Sequence, residues 1–202
     1  MNYPIRAFQD LVDNLYKLPG VGPKTAERLA LFILNMEQSQ AREIGQAILE
    51  LHDHVKRCPI CYNLSNDGPC WVCQDIKRDH CVIMVVEEAR DVLAIEKAGT
   101  FKGVYHVLGG TIRLAQGMGP EKLNIASLLK RIREENAKEV ILATNLTHEG
   151  NLTAMYIRRE LENSDCSVTR IASGIPIGTE IEFADTITLS EAIKGRTSID
   201  KE

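Results

Sequence analysis

The sequence has no apolar stretch long enough to span a bilayer and no excess of positive charge. Its 202 residues include 24 Lys and Arg against 28 Asp and Glu, which gives a formal net charge of −4. A transmembrane helix needs about 20 apolar residues, so we expect no membrane segment. The opening residues 1–4 do not begin a signal peptide. An acidic chain does not attract nucleic acid through its overall field, so any such contact must come from local basic clusters.

A phosphate loop for nucleotide binding is also missing. Residues 20–25 end in Lys-Thr, but Pro23 interrupts the Gly-Lys-Thr order and no strand precedes the segment. Such a loop needs a strand before it and a helix directly after its Gly-Lys-Thr. We therefore expect no ATP binding here.

Four of the six cysteines form two Cys-x-x-Cys pairs that eight residues separate. The set is Cys58, Cys61, Cys70 and Cys73. Each pair can offer two thiolates to one tetrahedral zinc ion. The polar, turn-rich segment between the pairs is too short to bury a core, so something other than hydrophobic contact must fold it. Four ligands leave no position for water, which predicts a structural Zn²⁺; disulfides or idle thiols are the alternative.

The two remaining cysteines, Cys81 and Cys166, fall outside this set. Unpaired thiols persist in a reducing compartment. Inside a protein they behave as small hydrophobic side chains. We expect both to be small buried side chains, and the sequence leaves their role open.

Two helices and a short hairpin are predicted near the N-terminus. Apolar residues at helical spacing run from Phe8 to about Tyr16 and resume after Pro23. Between them, two glycines permit a tight turn, and free N–H groups at the start of the second helix can hold a phosphate. Two basic residues lie one turn apart and can reach the same nucleic-acid backbone. The candidate DNA-binding residues are therefore Gly20, Gly22, Lys24 and Arg28.

A third helix is predicted from Gln40 to about Val55. Its apolar residues recur at the spacing of one helix face. We expect this face to point inward; its members are Ile44, Ala47, Ile48 and Leu51.

The rest of the chain alternates short apolar runs with amphipathic segments. The runs predict four strands, at 82–86, 103–108, 140–143 and 168–171. Helices are predicted between them, and a short final helix at 190–194. Strands that alternate with helices imply a mostly parallel sheet with both faces covered.

The segment from Leu18 to Ala26 resembles the helix-hairpin-helix motif of DNA repair and replication proteins. Its Leu-Pro-Gly-Val-Gly order matches, and Ala26 supplies the small residue four positions after the last glycine. The resemblance implies DNA binding. The alternative is a hairpin that only connects helices or contacts protein.

The acidic residues after the first strand and the sequence Ala-Thr-Asn-x-x-x-Glu-Gly after the third resemble the Toprim fold of primases and type IA topoisomerases. The resemblance implies that Glu87 occupies the acid/base position. Asn145 and Thr147 stand where active members carry the two Asp residues that hold magnesium. Neutral oxygens cannot organise two-metal phosphoryl chemistry, so we predict the fold without the reaction. The acidic residues could instead hold a cation weakly, contact a partner or remain solvated.

Hairpin, zinc module, degenerate Toprim segment and a Gly-Ile-Pro-Ile-Gly tail follow one another in the order of the bacterial RecR family of recombination mediators. The chain resembles that family over nearly its whole length, although Asn151 replaces a usual Glu and Arg113-Leu114 a common Ser-Pro. The resemblance implies a cytoplasmic, nucleoid-associated, non-enzymatic DNA repair protein. It also implies action with RecO, and in many bacteria RecF, to load RecA onto gapped DNA coated by single-strand binding protein. Family members form dimers and ring-like tetramers.

The fold class expected is therefore a multidomain α+β protein with four parts. These are a helix-hairpin-helix domain (1–57), a four-cysteine zinc finger (58–73), a Toprim domain with a mostly parallel sheet (81–175) and a Walker-B-like tail in oligomer contacts (176–202). Four copies of Lys24 and Arg28 around one ring would bind DNA despite the acidic net charge. The candidate partner-binding residues, a surface for RecO, are Glu87, Glu88, Asp91 and Glu149.

Two other functions remain open at this point. One is a Toprim-type nuclease or primase-like enzyme that uses Glu87 and Glu149 with Mg²⁺. It would need carboxylates at positions 145 and 147, which this chain lacks. The other is a zinc-bearing adaptor that contacts only protein.

Overall fold

The computed structural model describes residues 3–198 and divides into two compact units. The first ends at Val55 and the second begins at Lys56. Three helices make up the first unit: α1 (Arg6–Tyr16), α2 (Pro23–Asn35) and α3 (Gln38–His54). The finer boundaries expected from the sequence, at residues 57, 73, 81 and 175, stay a prediction.

Small residues allow α1 and α2 to pack together. Ala26 and Ala30, one turn apart on α2, are completely buried. At the N-terminal end, the ring of Tyr3 contacts Phe8 edge-to-face at 4.7 Å. The Tyr3 hydroxyl donates a hydrogen bond to the carboxylate of Glu27, which ties this segment to α2.

The expectation that α3 turns its apolar face inward is wrong for the single chain. The residues of that face are exposed, Ile48 for example by 61% and Leu51 by 58%. A periodic pattern shows which residues share a face, but it does not show what covers that face. A unit of about fifty residues has little interior, and its small core lies between α1 and α2. The face consists of Ile44, Ala47, Ile48 and Leu51.

The second unit begins with a small antiparallel hairpin and continues as an α/β fold. The hairpin pairs β1 (Lys56–Arg57) with β2 (Leu64–Ser65). The strands that follow are β3 (Asp79–Val86), β4 (Gly103–Val107), β5 (Glu139–Leu142) and β6 (Ser167–Arg170). The helices are α4 (Ala89–Ala98), α5 (Ile125–Glu134), α6 (His148–Glu160) and α7 (Thr186–Lys194).

The main sheet has the strand order β4-β3-β5-β6, and all three pairings are parallel. This confirms the predicted parallel sheet. Its interior comes from the apolar runs of the sequence: Ile83, Tyr105 and Val140 are completely buried, as are Leu128 on α5 and Ile157 on α6. In a parallel sheet all carboxyl ends meet at one edge, and this brings the residues after β3 and β5 together.

The cysteine module packs directly on the sheet. Cys58, Cys61 and Val72 are completely buried and belong to the same hydrophobic core as β3 and β4. The backbone N–H of Val107 at the end of β4 donates to the carbonyl oxygen of Cys61 over 2.8 Å. The module therefore satisfies a donor on the outer side of an edge strand that would otherwise be open.

None of the helices in the described part of the chain has the length and hydrophobicity needed to cross a membrane.

Candidate zinc and nucleic-acid sites

The four predicted zinc ligands come together. Their Sγ atoms all lie within 4.8 Å of one another. Cys61 and Cys70 are 3.5 Å apart at sulfur, and Cys58 and Cys73 are 3.9 Å apart. A tetrahedral zinc with bonds of about 2.3 Å would place its sulfurs about 3.8 Å apart. The donor set fits zinc, and it is the one group of metal-binding character among residues 3–198.

Backbone hydrogen bonds shape the first Cys-x-x-Cys pair into a tight loop. The N–H of Tyr62 donates to the carbonyl of Cys58 at 3.0 Å, and the N–H of Cys58 donates to the carbonyl of Asn63 at 2.8 Å. The N–H of Cys70 also points at the sulfur of Cys58 over 3.3 Å. An N–H directed at sulfur stabilises a thiolate, and this is the form that binds metal.

Tyr62 has a left-handed backbone, with φ of 63°, which is uncommon for a residue other than glycine. Its ring contacts His106 edge-to-face at 5.4 Å. His106 is completely buried on β4, and burial lowers its pKa to about 4. The ring contact offsets the backbone cost and joins the loop to the sheet. No signal in the sequence points to this role, because the residue is neither glycine nor asparagine.

Close contact between the thiols shifts their pKa values in opposite directions. Hydrogen bonding from Cys61 lowers the pKa of Cys70, while the same contact raises the pKa of Cys61. The pKa of Cys73 is raised as well, chiefly by its hydrogen bond with Cys61. Thiols this close cannot all ionise together unless a cation compensates the charge, and a structural zinc ion does so.

A partly buried ion pair joins the end of the zinc module to α4. The guanidinium of Arg78 donates to both carboxylate oxygens of Glu96, at 2.8 and 2.6 Å. The hydroxyl of Tyr105 donates to the same carboxylate at 2.6 Å. The Arg78 hydrogen bond lowers the pKa of Glu96. Bidentate pairs of this kind fix geometry as well as charge.

The helix hairpin forms as predicted, but its two glycines differ in role. The N–H of Val21 bonds to the carbonyl of Leu18 at 3.1 Å, and Gly20 in this turn has φ of +78°. Pro19 before it suits the second position of a type II turn, whose third position needs a positive φ. Gly22 has an ordinary φ of −81° and precedes the first residue of α2. The turn therefore requires Gly20. Gly22 instead has no side chain that could cover the first N–H groups of α2.

The start of α2 offers donors and positive charge. The first N–H groups of a helix have no partner within it. In the described chain, those of Gly22, Lys24 and Thr25 make no other hydrogen bond. Lys24 and Arg28 are exposed, and neither forms an ion pair with another described residue. Because these charges are not neutralised within the chain, they remain able to meet an anion.

At the Toprim edge, Glu87 and Asn145 are bound to each other. Oε1 of Glu87 accepts the backbone N–H of Asn145 at 2.8 Å, and Oε2 accepts its side-chain amide at 2.6 Å. Glu87 is only 9% exposed. Asn145 stands where active Toprim enzymes carry a magnesium-binding carboxylate, and its two hydrogen bonds engage both oxygens of Glu87.

The neighbouring positions have structural roles too. The hydroxyl of Thr147 accepts the N–H of Gly150 at 3.1 Å and caps α6. The Thr144 hydroxyl donates to the carbonyl of Gly150 at 3.0 Å. A Cβ on Gly150 would lie 2.1 Å from the carbonyl oxygen of Asn145 and 2.9 Å from Oε1 of Glu87. The turn after β5 therefore closes only around a glycine.

The other predicted acidic residues do not form a cation site with Glu87. Glu88 and Asp91 form a reciprocal capping box at the start of α4, and Glu88 also pairs with Arg90 at 3.0 Å. Glu149 lies in the first turn of α6 and has no side-chain partner within residues 3–198. These acids share one edge of the sheet, but within the described chain no three of them converge as metal ligands would.

Four family models match consecutive parts of the chain. A helix-hairpin-helix model of RecR matches residues 8–52, and a model of the four-cysteine zinc finger domain of RecR matches 55–75. A Toprim domain model matches 82–172, and a C-terminal model of RecR matches 174–197. These matches agree with the predicted order of the four parts.

A curated relative covers nearly the same length. The recombination protein RecR of Desulforudis audaxviator strain MP104C is 47% identical over 194 residues, which is 96% of this chain and 98% of the relative. With the sulfur cluster, the zinc-finger match shows a structural zinc. The hairpin match supports DNA binding and argues against an adaptor that contacts only protein. The chain belongs to the RecR family of recombination and repair proteins.

Proposed function

We propose that the protein is a non-enzymatic mediator that encloses DNA as a ring-shaped oligomer and, with RecO and in some settings RecF, helps load RecA onto gapped DNA. The observation that carries this proposal is the two-point hydrogen bond between Glu87 and Asn145. It supports a Toprim domain whose acidic edge is used for structure rather than for metal chemistry.

A Toprim nuclease or primase-like enzyme is disfavoured on the same ground. Magnesium is held through one or two carboxylates together with substrate phosphates. The carboxylate of Glu87 is occupied, Thr147 caps a helix, and Asp91 caps another. Glu149 alone would remain for a cation, which is too little charge for two-metal catalysis.

The start of α2 is the proposed DNA contact. Free N–H groups at Gly22, Lys24 and Thr25 would bind one phosphate, and the side chains of Lys24 and Arg28 would neutralise its neighbours. Gly20 shapes the turn that presents them. Residues 1–55 carry five basic and seven acidic side chains, so a single copy binds weakly. Repetition around a ring would turn weak contacts into firm binding.

The zinc ion would brace this assembly. We assign its ligands to Cys58, Cys61, Cys70 and Cys73, whose sulfurs cluster. Four thiolates complete the coordination shell, so the metal has no open position for a reaction. Through the bond between Cys61 and Val107 it would hold the sheet edge in place.

Exposed apolar surface supports assembly into dimers and tetramers. The uncovered face of α3 and the tail side chains of Ile177, Phe183 and Ile187 are both in water in one chain. Patches of this kind are typical of contacts between subunits. Glu88, Asp91 and Glu149, which flank the buried Glu87, are the proposed surface for RecO. The place of action would be the cytoplasm, near the nucleoid.

The proposal is tested by replacing both Lys24 and Arg28 with alanine and measuring binding to gapped duplex DNA by fluorescence anisotropy. Binding should weaken by at least tenfold (roughly, for two phosphate contacts per subunit) while zinc content and thermal stability stay unchanged. The matched control replaces Arg6 and Arg42, which are basic residues of the same unit outside the hairpin. It removes the same charge and should leave binding nearly intact. Equal binding by the hairpin variant and the wild type at moderate salt would refute the assignment.

A further inference from the structure

The only tryptophan of the chain lies on the surface of the zinc module. Trp71 stands between Cys70 and Cys73, and 51% of its surface is exposed. The next residue, Val72, is completely buried. The loop therefore turns a small apolar side chain inward and leaves the largest one in water, although a buried tryptophan would contribute more to stability.

One side of the indole ring is backed by a fixed cation. The Cζ atom of Arg78 lies 5.7 Å from the ring centroid, within the range of a cation–π contact. Arg78 is itself held by Glu96 through two hydrogen bonds and by the carbonyl of Gly103 at 3.2 Å. The ring is thus held in two ways. Zinc ligands flank Trp71 in the sequence, and the anchored guanidinium of Arg78 contacts the ring.

We propose that Trp71 is a stacking platform for an unpaired base of single-stranded DNA. Every base has a flat π face, so an exposed aromatic ring binds single strands with little dependence on sequence. A guanidinium behind the ring prevents it from folding away when no base is present. The proposal rests on the DNA binding of the family and is independent of the role given to the helix hairpin.

Two unpaired cationic side chains in this part of the chain suit the phosphates of a nucleic acid. Lys77 and Arg57, two exposed residues that flank the module in the sequence, form no ion pair in the described chain. The two acids between Cys73 and Cys81 already have partners. Asp75 accepts the N–H of Lys77 and pairs with Arg78 at 3.7 Å, and Asp79 accepts the N–H of Cys81. The phosphates of a bound strand would therefore find unpaired positive charge on the same unit of the chain.

A neighbouring residue separates base stacking from an apolar protein contact. Ile76, five residues along the chain from Trp71, is 93% exposed. A protein partner or a second copy that covered Trp71 through hydrophobic contact would be expected to use Ile76 as well. A base needs an aromatic face and gains little from an aliphatic side chain.

The experiment uses the full-length, zinc-loaded protein and its intrinsic fluorescence, which at an excitation wavelength selective for tryptophan reports on Trp71 alone. The protein is titrated with a thymidine oligonucleotide and, separately, with a blunt duplex of the same length. Binding of each labelled DNA is followed in parallel by anisotropy. We expect the single strand to quench the fluorescence in step with binding and the duplex to leave it unchanged.

Variants complete the test. Trp71→Leu keeps apolar bulk without a π face and should weaken binding of the single strand roughly five- to a hundredfold, with duplex binding unchanged. Trp71→Phe should retain most of the affinity, and Ile76→Ala all of it. Zinc content is measured for each. If Trp71→Leu loses zinc, the quenching of the wild type and the affinity of the Phe variant decide the question. The proposal would be overturned if saturating single-stranded DNA left the fluorescence unchanged, or if the fluorescence changed only on dilution of the protein.

Discussion

The carboxylate of Glu87 and the amide of Asn145 hold the ends of β3 and β5 together through two hydrogen bonds. In the Toprim enzymes that the chain resembles, a carboxylate at position 145 would face the same glutamate and require a cation between them. An amide satisfies the glutamate directly, since its N–H groups donate where a metal would otherwise attract. At position 145 the amide thus gives Glu87 a partner within the chain.

The first prediction restores the carboxylate with Asn145→Asp. Two carboxylates would then face each other at hydrogen-bond distance, and their repulsion would raise the pKa of the pair above that of the unfolded chain. The folded variant therefore binds more protons than the unfolded one between about pH 4 and pH 7. Its stability should fall as pH rises, with a deficit of about 2 kcal/mol against the wild type at pH 8.

Urea denaturation at pH 5 and pH 8, without divalent cations, measures this effect. Asn145→Ala removes the side-chain donor without adding charge and should show a smaller deficit with weaker pH dependence. An aspartate variant as stable as the wild type at pH 8 would show that the amide does not support Glu87.

The second prediction concerns the closed turn after β5. Gly150→Ala would force Cβ against the carbonyl oxygen of Asn145, which is backbone and cannot move aside. We expect a loss of about 3 kcal/mol. Gly45→Ala is the matched control, because Gly45 lies within α3 with no atom near the position of its Cβ. It should raise the free energy of unfolding by about 0.5–1 kcal/mol, because alanine favours a helix more than glycine does. Denaturant titration compares both variants, and equal effects would contradict the close approach.

The third prediction concerns the zinc ion. Cys58→Ser removes a buried ligand and should destabilise the unit that begins at Lys56 by on the order of 5 kcal/mol. The helices α1 to α3 belong to the other unit and should keep their circular dichroism. Cys81→Ser, outside the sulfur cluster, is the control and should keep full zinc content. Thermal melts with and without a strong chelator measure the difference; coincident curves would mean that zinc does not brace the fold.

The fourth prediction concerns the ion pair of Arg78 and Glu96, whose side chains are 13% and 18% exposed. Glu96→Gln should cost about 1.5–3 kcal/mol at pH 7, as for a hydrogen bond to a charged group. The pKa of Glu96 is lowered in the folded state, so the pair stabilises the protein above the unfolded pKa. This contribution is lost as pH falls through the lowered folded pKa. The stability difference between wild type and variant should therefore shrink in acid; a constant difference would exclude the charge as its source.

The sequence predicts those parts of the fold that depend on local pattern. The run around Val85 is a strand because it is apolar on both faces, and the spacing of four cysteines predicts a common site because two short loops suffice to bring them together. The turn at Gly20 follows from the residue types alone.

Contacts between distant residues could not be read in the same way. The sequence marks Asn145 as a replacement for a metal ligand, but its bond to Glu87 depends on the alignment of two strands and joins residues 58 positions apart. The inward face expected for α3 is wrong because helical spacing identifies a face and not its cover. The exposure of Trp71 and the left-handed Tyr62 depend on the path of the zinc loops, which the positions of the cysteines alone leave open.

The most direct test of DNA binding by a ring is the salt dependence of affinity. Each phosphate contact contributes about 0.9 to the slope of log K against log salt concentration. If only one copy contacts the DNA, replacing Lys24 and Arg28 by alanine would lower that slope by about 2. If four copies contact it at the same time, the same replacement would lower the slope by about 7. Anisotropy titrations of gapped DNA across a series of salt concentrations give the slopes of wild type and variant. Binding by several copies of a ring predicts that the slope decreases by clearly more than about 2. Equal slopes for wild type and variant would contradict it.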